Sequence, residues 1–339
     1  MPGLLFERDY AVYGLRLRVQ CSDPAVDEVV SAMLVHLRLA PVKAASPDRD
    51  LLLTVRVEAH PSSVPPDAVF VIEADRGIGV WKAGGLLYLH SETTTAQLDP
   101  ASGTGTVSLH AGTDADLTRR RAALFDALTL SLLILLRHRD RYMVHAAALV
   151  RGEAGYLLVG KSHSGKSTLA FSLVRQGWGY LSDDMVLLCL EEGRIEAMPL
   201  GRDFRLTPES VRLFPELDVS QTTGPGGDGK WHIDVEALYP SQFAACCIPR
   251  VLLFPEIMRR DESELLPLGR TEALLHLISQ TTFVSPASHL AARQLDVLKR
   301  LVNQAHAYRL LAGQDLRSDP TLFAKLLARI SIAAGSTSR

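Results

Sequence analysis

Apolar and polar residues alternate along much of the first third of the chain, a pattern typical of half-buried β-strands. Residues 13–20 alternate in this way, and residues 22–38 then repeat apolar positions at helical spacing behind Ser22 and Asp23, either of which can cap the helix. Four further strands are predicted at 51–58, 69–73, 85–91 and 105–110, between Pro- and Gly-rich turns. This order of elements predicts a small α+β domain over residues 1–112.

The apolar residues after this domain are spaced as in a helix. Residues 113–136 repeat apolar positions as a helix does, and we expect a helix within residues 113–141 to connect two halves of the chain. The apolar stretch 142–150 is then typical of a strand, and a tight turn at 151–155 leads into the apolar run 156–159. Because the turn is so short, the two strands are expected to be adjacent, as in a hairpin.

The remaining chain is predicted to form a second domain over residues 142–339. A helix at 168–176 ends at Gly177, a residue type that commonly stops helices, and an apolar strand at 180–190 follows. A further strand is predicted at 250–257, and three helices of an outer layer are predicted at 271–280, 288–305 and 320–330.

The segment between the strand at 156–159 and the helix at 168–176 carries a recognisable chemistry. It runs from Gly160 to Ser167 and fits G-x-x-x-x-G-K-[ST], the pattern of a loop that wraps nucleotide phosphates. Glycine permits the tight turns and inward-facing N–H groups, Lys166 is expected to reach the β- and γ-phosphates, and the Ser167 hydroxyl is expected to bind Mg²⁺. We expect nucleotide contacts from Gly160, Lys161, Ser162, His163, Ser164, Gly165, Lys166, Ser167 and Thr168.

Two adjacent carboxylates, Asp183 and Asp184, interrupt the strand predicted at 180–190. Burial of such a pair is costly unless a metal ion or a cation neutralises it. The intervening helix and the returning strand cover similar distances, so the pair can arrive beside the phosphate loop. We therefore predict that both aspartates belong to the site, against the alternative of a solvated strand break.

Composition narrows the classes of function. With 339 residues, 47% hydrophobic and 22% charged, the chain can bury a large core, and a net charge of -2 favours neither nucleic acid nor a membrane surface as partner. The four cysteines have no metal-ligand spacing, and the first residues lack a secretory pattern, so a reducing cytoplasm is expected. The longest apolar segment, 122–136, contains Asp126 and is too short to span a bilayer.

His145 in the first strand, the hairpin, the phosphate loop and the Asp183–Asp184 pair together resemble the catalytic domain of HPr kinase/phosphorylase and its relatives. The resemblance implies an α/β fold, in which a phosphate-loop domain like those of HPr kinase and phosphoenolpyruvate carboxykinase follows the small α+β domain. It also implies a kinase that transfers the γ-phosphoryl group of ATP to a serine hydroxyl.

The resemblance assigns roles to individual residues. Lys166 and Ser167 would hold phosphate and Mg²⁺, Asp183 would accept the hydroxyl proton, Asp184 would assist with the metal, and His145 would lie near the transferred phosphate. A packed core histidine is the alternative for His145.

The chain departs from HPr kinase proper at Thr168, where that family usually has Glu, and it has no Arg-Gly-Leu-Gly signature downstream. It is more similar to divergent HPr-kinase-related proteins, some of which phosphorylate a serine of a ribosomal lasso-peptide precursor. A peptide or protein substrate is therefore expected, and a homo-oligomer is compatible with the resemblance because relatives with this fold commonly assemble.

Three downstream cations are further candidates. Arg202 or Arg205 is expected to reach the phosphates, and Lys230 ends a Gly-rich loop that can close over ATP and bring the lysine to the developing charge. A mobile surface loop with a solvated lysine is the alternative for Lys230. For the whole chain, a kinase of a small hydroxylated metabolite and a non-catalytic nucleotide-sensing protein remain as alternative functions.

Overall fold

Two large β-sheets organise the computed structural model, one in each of the two units into which the chain divides. The N-terminal unit comprises Met1–Tyr142 with Phe283–Ala292, and the C-terminal unit comprises Met143–Thr282 with Arg293–Arg339. The structure describes residues 6–42, 50–59, 63–74, 77–111, 117–201, 203–217, 229–281 and 288–334. The architecture is mixed α/β, and among the described residues no helix is long and apolar enough to cross a membrane.

Within its described residues, the N-terminal unit contains a nine-stranded sheet in the order β3-β1-β2-β4-β9-β8-β7-β6-β5. The strands are β1 (Phe6–Val12), β2 (Leu15–Cys21), β3 (Ala40–Val42), β4 (Leu51–Glu58), β5 (Val69–Ala74), β6 (Ile78–Ala83), β7 (Leu86–His90), β8 (Thr94–Asp99) and β9 (Thr104–His110). Two helices, α1 (Pro24–His36) and α2 (Leu117–Arg137), belong to the same unit. The pairs β2–β4 and β4–β9 are parallel, and the other pairs are antiparallel.

The predicted number of strands was wrong: the sequence predicts five strands here and the described residues contain nine, because β1, β3, β6 and β8 were missed. β1 is rich in charge, which hides its alternation, but its charges are paired in the structure. The Arg18 guanidinium donates to both oxygens of Asp9, at 2.8 and 2.9 Å, and Arg8 lies 2.6 Å from Asp27. The predicted cap of α1 is confirmed, since Asp23 accepts from the first-turn amides of Ala25 and Val26.

The C-terminal unit is organised by a second sheet in the order β14-β13-β10-β11-β17-β19-β18, with β12 also paired to β10. Its strands are β10 (Tyr142–Arg151), β11 (Ala154–Val159), β12 (Gly179–Ser182), β13 (Met185–Glu191), β14 (Arg194–Leu200), β15 (Phe204–Leu206), β16 (Trp231–Ile233), β17 (Pro249–Ile257), β18 (Glu264–Pro267) and β19 (His306–Ala312). Its helices are α3 (Lys166–Arg175), α4 (Pro208–Val211), α5 (Val235–Leu238), α6 (Arg270–Ser279), α7 (Ser288–Gln304), α8 (Gln314–Ser318) and α9 (Leu322–Ala334). Strands β15 and β16 form a separate two-stranded antiparallel sheet.

The predicted hairpin into the phosphate loop is confirmed. β10 and β11 are antiparallel, with Ala146 opposite Val159 and Arg151 opposite Ala154, while β11 is parallel to β17 on its other side. The apolar residues of both strands are buried, because each strand has neighbours on both edges and helices or loops on its faces.

The single strand predicted at 180–190 is instead two strands. β12 and β13 both lie beside β10, β13 also pairs with β14, and the chain bends at Asp183 and Asp184 between them. The break follows from the chemistry of the two carboxylates, since a continuous strand would point them to opposite sheet faces. In the structure Asp183 accepts from the backbone of β15, and Asp184 pairs with His145 of β10 and with Arg205 of β15.

Aromatic side chains fill the core of the C-terminal unit around α3. Phe171 is fully buried, and its ring centroid lies 4.7 Å from that of Phe214 and 6.3 Å from that of Phe204 in edge-to-face arrangements. These contacts fix α3, and with it the phosphate loop that precedes it.

We expect Phe171→Ala to lower the free energy of unfolding of the C-terminal unit by about 3–5 kcal/mol, because it removes a buried ring and leaves a cavity. Urea denaturation followed by the fluorescence of Trp178 and Trp231 measures the change. Leu275, which is 62% exposed on α6, supplies the control, and its Ala variant should stay within about 0.5 kcal/mol of the parent. Equal effects of the two substitutions would contradict this core assignment.

Candidate active site

The loop between β11 and α3 has the backbone that a phosphate cradle requires. Gly165 has a φ of +87°, a left-handed conformation that glycine adopts without steric cost, and it precedes the first residue of α3. A Cβ on Gly160 would lie 2.9 Å from the Ser164 hydroxyl oxygen, so glycine lets that side chain pack closely against the backbone of the loop. His163 also has a positive φ, of 65°, which is uncommon for a residue with a side chain. The first amides of α3 follow directly, and such amides favour an anion.

Lys166 is turned into its own loop. Only 5% of the residue is exposed, and its Nζ donates to the carbonyl oxygens of Gly160 at 2.6 Å and of Lys161 at 2.9 Å. Burial lowers the pKa of Lys166 to about 8, although the charges of Asp183 and Asp184 oppose this change. The amine therefore stays mostly protonated at neutral pH and lies at the base of the loop.

His145, on β10, connects Lys166 to the aspartate pair. Its Nε2 is 3.2 Å from Nζ of Lys166, and its Nδ1 is 3.1 Å from Oδ1 of Asp184. A protonated lysine can only donate, so Nε2 accepts from it and the ring proton of a neutral His145 belongs on Nδ1, where it faces Asp184. The prediction that His145 lies at the site is therefore consistent with its geometry.

Asp183 is the most deeply buried carboxylate of the site. The residue is 3% exposed, and its Oδ2 accepts from the backbone N–H of Arg205 at 2.9 Å. Its Oδ1 has no hydrogen-bond partner among the described residues. Burial raises the pKa of Asp183 to about 6, and the N–H of Arg205 and the hydroxyl of Ser167 oppose the rise. The result is a carboxylate with one uncommitted oxygen and a pKa close to neutrality.

The pKa of Asp184 is shifted in the opposite direction. Burial disfavours its ionised form, but the hydrogen bond with His145 and the charge of Arg205 outweigh burial and lower the pKa of Asp184 to about 2. Its second oxygen forms an ion pair with the Arg205 guanidinium. The two neighbouring carboxylates thus have well separated pKa values, a difference typical of paired groups with distinct chemical tasks.

The two-stranded sheet of β15 and β16 carries the downstream cations or adjoins them. Arg205 and His232 are opposite one another in this pair, and Lys230 immediately precedes β16. The charge of Lys230 is near enough to lower the pKa of Lys166, as is that of Arg205. The structure therefore brings Lys166, Arg205 and Lys230 around two aspartates, an excess of positive charge that suits a polyanionic ligand.

The structure describes only some of the residues that are predicted to contact the nucleotide. Arg205 contacts the aspartates, and its predicted contact with phosphate stays a prediction. Arg202 and most of the Gly-rich loop before Lys230 lie outside the described residues. Lys161, Ser162 and His163 are exposed on the loop, while Ser164 and Ser167 are partly buried within it.

Thr168 makes a contact that the sequence did not predict. Its hydroxyl lies 2.6 Å from the Ser210 hydroxyl, which is itself 3.1 Å from the hydroxyl of Thr207, the N-cap of α4. This row of hydroxyls ties the first turn of α3 to the end of β15, two residues beyond Arg205. Neither Ser210 nor Thr207 carries a sequence signal beyond the Thr-Pro start of a short helix.

The residues present fit a magnesium ion. Among the described residues no group of three or more His, Cys, Asp or Glu could hold a metal ion. Mg²⁺ usually takes one or two carboxylates together with substrate phosphates, and the Asp183–Asp184 pair supplies such carboxylates. Oδ1 of Asp183 is free among the described residues, and the carboxylate of Asp184 has lone pairs beyond those used by His145 and Arg205. The Ser167 hydroxyl adjoins this pair.

Comparisons with known proteins do not assign the chain to a family. No protein-family model matches the chain, and no curated protein matches it in sequence. Among solved structures, it is similar to the Hpr(Ser) kinase/phosphatase from Coxiella burnetii, with 14% identity and a TM-score of 0.33, over 57% of this chain and 99% of that chain. The function proposed below therefore rests on the residues of the site.

The hydroxyl contact between Thr168 and Ser210 is open to a double-mutant cycle. We expect Thr168→Val and Ser210→Ala each to lower the free energy of unfolding, with a coupling of about 0.5–1.5 kcal/mol because the two substitutions remove the same hydrogen bond. Urea titration of the parent, both single variants and the double variant gives the coupling. Additive effects would show that the two side chains do not interact.

Proposed function

We propose that the protein is an ATP- and Mg²⁺-dependent kinase that transfers the γ-phosphoryl group to a serine hydroxyl of a peptide or protein. The observation that carries this proposal is the state of Asp183, a buried carboxylate with one oxygen free of partners among the described residues, beside Lys166 and Ser167 of the phosphate loop. A buried acceptor left unsatisfied is costly, and such groups are concentrated at functional sites.

Asp183 suits the role of general base. With a pKa of about 6 it is mostly ionised at neutral pH and still basic enough to take a proton in the transition state. Asp184, whose pKa of about 2 keeps it ionised, holds His145 and Arg205 in place. The pair thereby divides proton transfer and positioning between two adjacent residues.

The transfer balances in atoms and charge. The serine oxygen forms a bond to the γ-phosphorus, its proton passes to Oδ1 of Asp183, and the bond between the γ-phosphorus and the bridging oxygen breaks to release ADP. Lys166 would donate to the phosphates once it releases the carbonyls of Gly160 and Lys161, and Lys230 and Arg205 would add positive charge.

Magnesium would be held by the hydroxyl of Ser167 and the carboxylate of Asp184, together with phosphate oxygens. When bound, it would neutralise charge on the β- and γ-phosphates. Arg205 stays beside the metal ligands in this arrangement, and its backbone N–H keeps Asp183 oriented independently of its side chain.

A binding protein without catalysis needs the loop and Lys166 but not a buried carboxylate with a free oxygen. The placement of Asp183 therefore favours an enzyme over a nucleotide sensor. A serine-bearing peptide, with a ribosomal lasso-peptide precursor as a specific candidate, is the acceptor that the sequence resemblance implies, and a small hydroxylated metabolite is its competitor.

We expect Asp183→Asn to lower kcat by at least about 10²-fold, because the amide cannot accept the hydroxyl proton, while ATP affinity changes little. Phosphopeptide formation and binding of a fluorescent ATP analogue measure the two quantities. Asp296, on the exposed face of α7, provides the matched Asp→Asn control. Normal transfer by Asp183→Asn would exclude Asp183 as the base.

Lys166→Ala should weaken ATP binding about 10- to 100-fold, because it removes a charge-assisted contact with phosphate. Calorimetric titration with ATP in the presence of Mg²⁺ measures the loss, and Lys325→Ala, at an exposed position of α9, is the control. Unchanged affinity in Lys166→Ala would contradict the assignment of the loop as the phosphate site.

Mass spectrometry distinguishes peptide acceptors from small-molecule acceptors. Incubation with ATP and Mg²⁺ should phosphorylate members of a peptide library centred on serine, and should leave the library with alanine at that position unmodified. Phosphorylation of metabolites alone would shift the substrate to the small-molecule class. ATP hydrolysis with neither acceptor would contradict transfer to a hydroxyl of either kind.

A further inference from the structure

Among the described residues, the end strand of the N-terminal sheet exposes several apolar side chains. β5 stands at the end of the strand order, next to β6. Val69 is 68% exposed, Phe70 54% and Ile72 39%. End strands of soluble proteins usually carry charges, prolines or bulges that discourage pairing. β5 has a register shift between Phe70 and Ile72 and still exposes three apolar side chains, which indicates a surface that binds a partner.

Aromatic rings continue from this strand across one face of the sheet. Phe70 is opposite Trp81 of β6, and Trp81 is opposite Tyr88 of β7, so the three side chains share a face. The Phe70 and Trp81 ring centroids are 5.5 Å apart, and those of Trp81 and His90 are 6.1 Å apart, in edge-to-face arrangements. We call Phe70, Trp81, Tyr88 and His90 the aromatic row.

An acid adjoins the aromatic row. Glu73 is opposite Gly79, and Gly79 is opposite His90, which places Glu73 on the same face. The Trp81 ring lies over Gly79, since a Cβ there would be 2.0 Å from the ring, and only glycine permits this close packing. Lys82 alternates with Trp81 and faces the other side of the sheet with Val69, and exposed Asp67 lies before β5. The face therefore combines π surfaces with the negative charge of Glu73.

We propose that this face of β5, β6 and β7 binds an extended peptide segment that carries an arginine or lysine side chain. Cations are attracted to the faces of tryptophan, tyrosine and phenylalanine rings, and a nearby carboxylate adds a charge-assisted hydrogen bond. A peptide added along β5 places a side chain beside Phe70 and Glu73, since neighbouring strands bring such side chains within reach.

Charge complementarity favours this occupant over a second copy of the chain. Pairing of two β5 strands would bring Asp67 and Glu73 of each copy towards those of the other, and like charges that face one another across strands are destabilising. A basic peptide instead neutralises these acids. The proposal does not depend on phosphoryl transfer, and it can fail or succeed without affecting the assignment of the nucleotide site.

The test is selection of a random peptide library on the immobilised full chain, followed by fluorescence anisotropy with labelled members of the selected pool. We expect enrichment of arginine or lysine flanked by β-branched residues, and at least a ~10-fold loss of affinity when that cation is replaced by glutamine. Phe70→Ala and Glu73→Gln should each weaken binding about fivefold or more. Glu28→Gln, at an exposed position of α1, is the matched control.

Three outcomes would overturn the proposal. They are selection of no peptide, selection of peptides without a cationic preference, and affinities that Phe70→Ala and Glu73→Gln leave unchanged. Sedimentation velocity tests whether a second copy of the chain occupies the face. If the protein forms concentration-dependent dimers and Phe70→Ala abolishes them, the face serves self-association instead. Circular dichroism of each variant confirms that the exposed substitutions leave the fold intact.

Discussion

The candidate site depends on one costly arrangement, two adjacent carboxylates at a break between β12 and β13, with Asp183 buried and the Asp184 side chain 24% exposed. Neither could stay there without compensation, and the structure supplies it from separate elements. The Arg205 amide from β15 satisfies one oxygen of Asp183, and its guanidinium pairs with Asp184. His145 from β10 binds the other oxygen of Asp184 and reaches on to Lys166. Removal of any one of these partners would leave a charged group without its compensating partner, which is destabilising.

This arrangement links the phosphate loop to the rest of the C-terminal unit. Lys166 begins α3, α3 is fixed by the aromatic core around Phe171, and the hydroxyls of Thr168 and Ser210 join its first turn to the segment after Arg205. Chemistry and packing are therefore coupled, since a shift of α3 would move Lys166 relative to both aspartates. The pKa separation of the two carboxylates is a consequence of that fixed geometry.

Much of the site could be predicted from the sequence because its signals are local. The loop from Gly160 to Ser167 has residues at fixed spacing, and the hairpin is indicated by a short turn between two apolar runs. Two adjacent aspartates inside an apolar segment indicate a functional site, because their burial is costly. The role of Arg205 as a partner of both aspartates could not be predicted, because it depends on how β15 is placed, and a three-residue strand has no detectable period. The contact of Thr168 with Ser210 was missed for the same reason. In the N-terminal unit, strands such as β1 and β8 were missed because paired charges and threonines replace the apolar alternation.

The structure of the full chain with a non-hydrolysable ATP analogue and Mg²⁺ tests the central claim most directly. The account predicts that the phosphates lie in the loop from Gly160 to Ser167, that Nζ of Lys166 leaves the carbonyl of Gly160 to donate to a phosphate oxygen, and that Oδ1 of Asp183 faces the side of the γ-phosphate from which a hydroxyl would attack. A nucleotide bound elsewhere, or an Asp183 carboxylate turned away from the γ-phosphate, would contradict it.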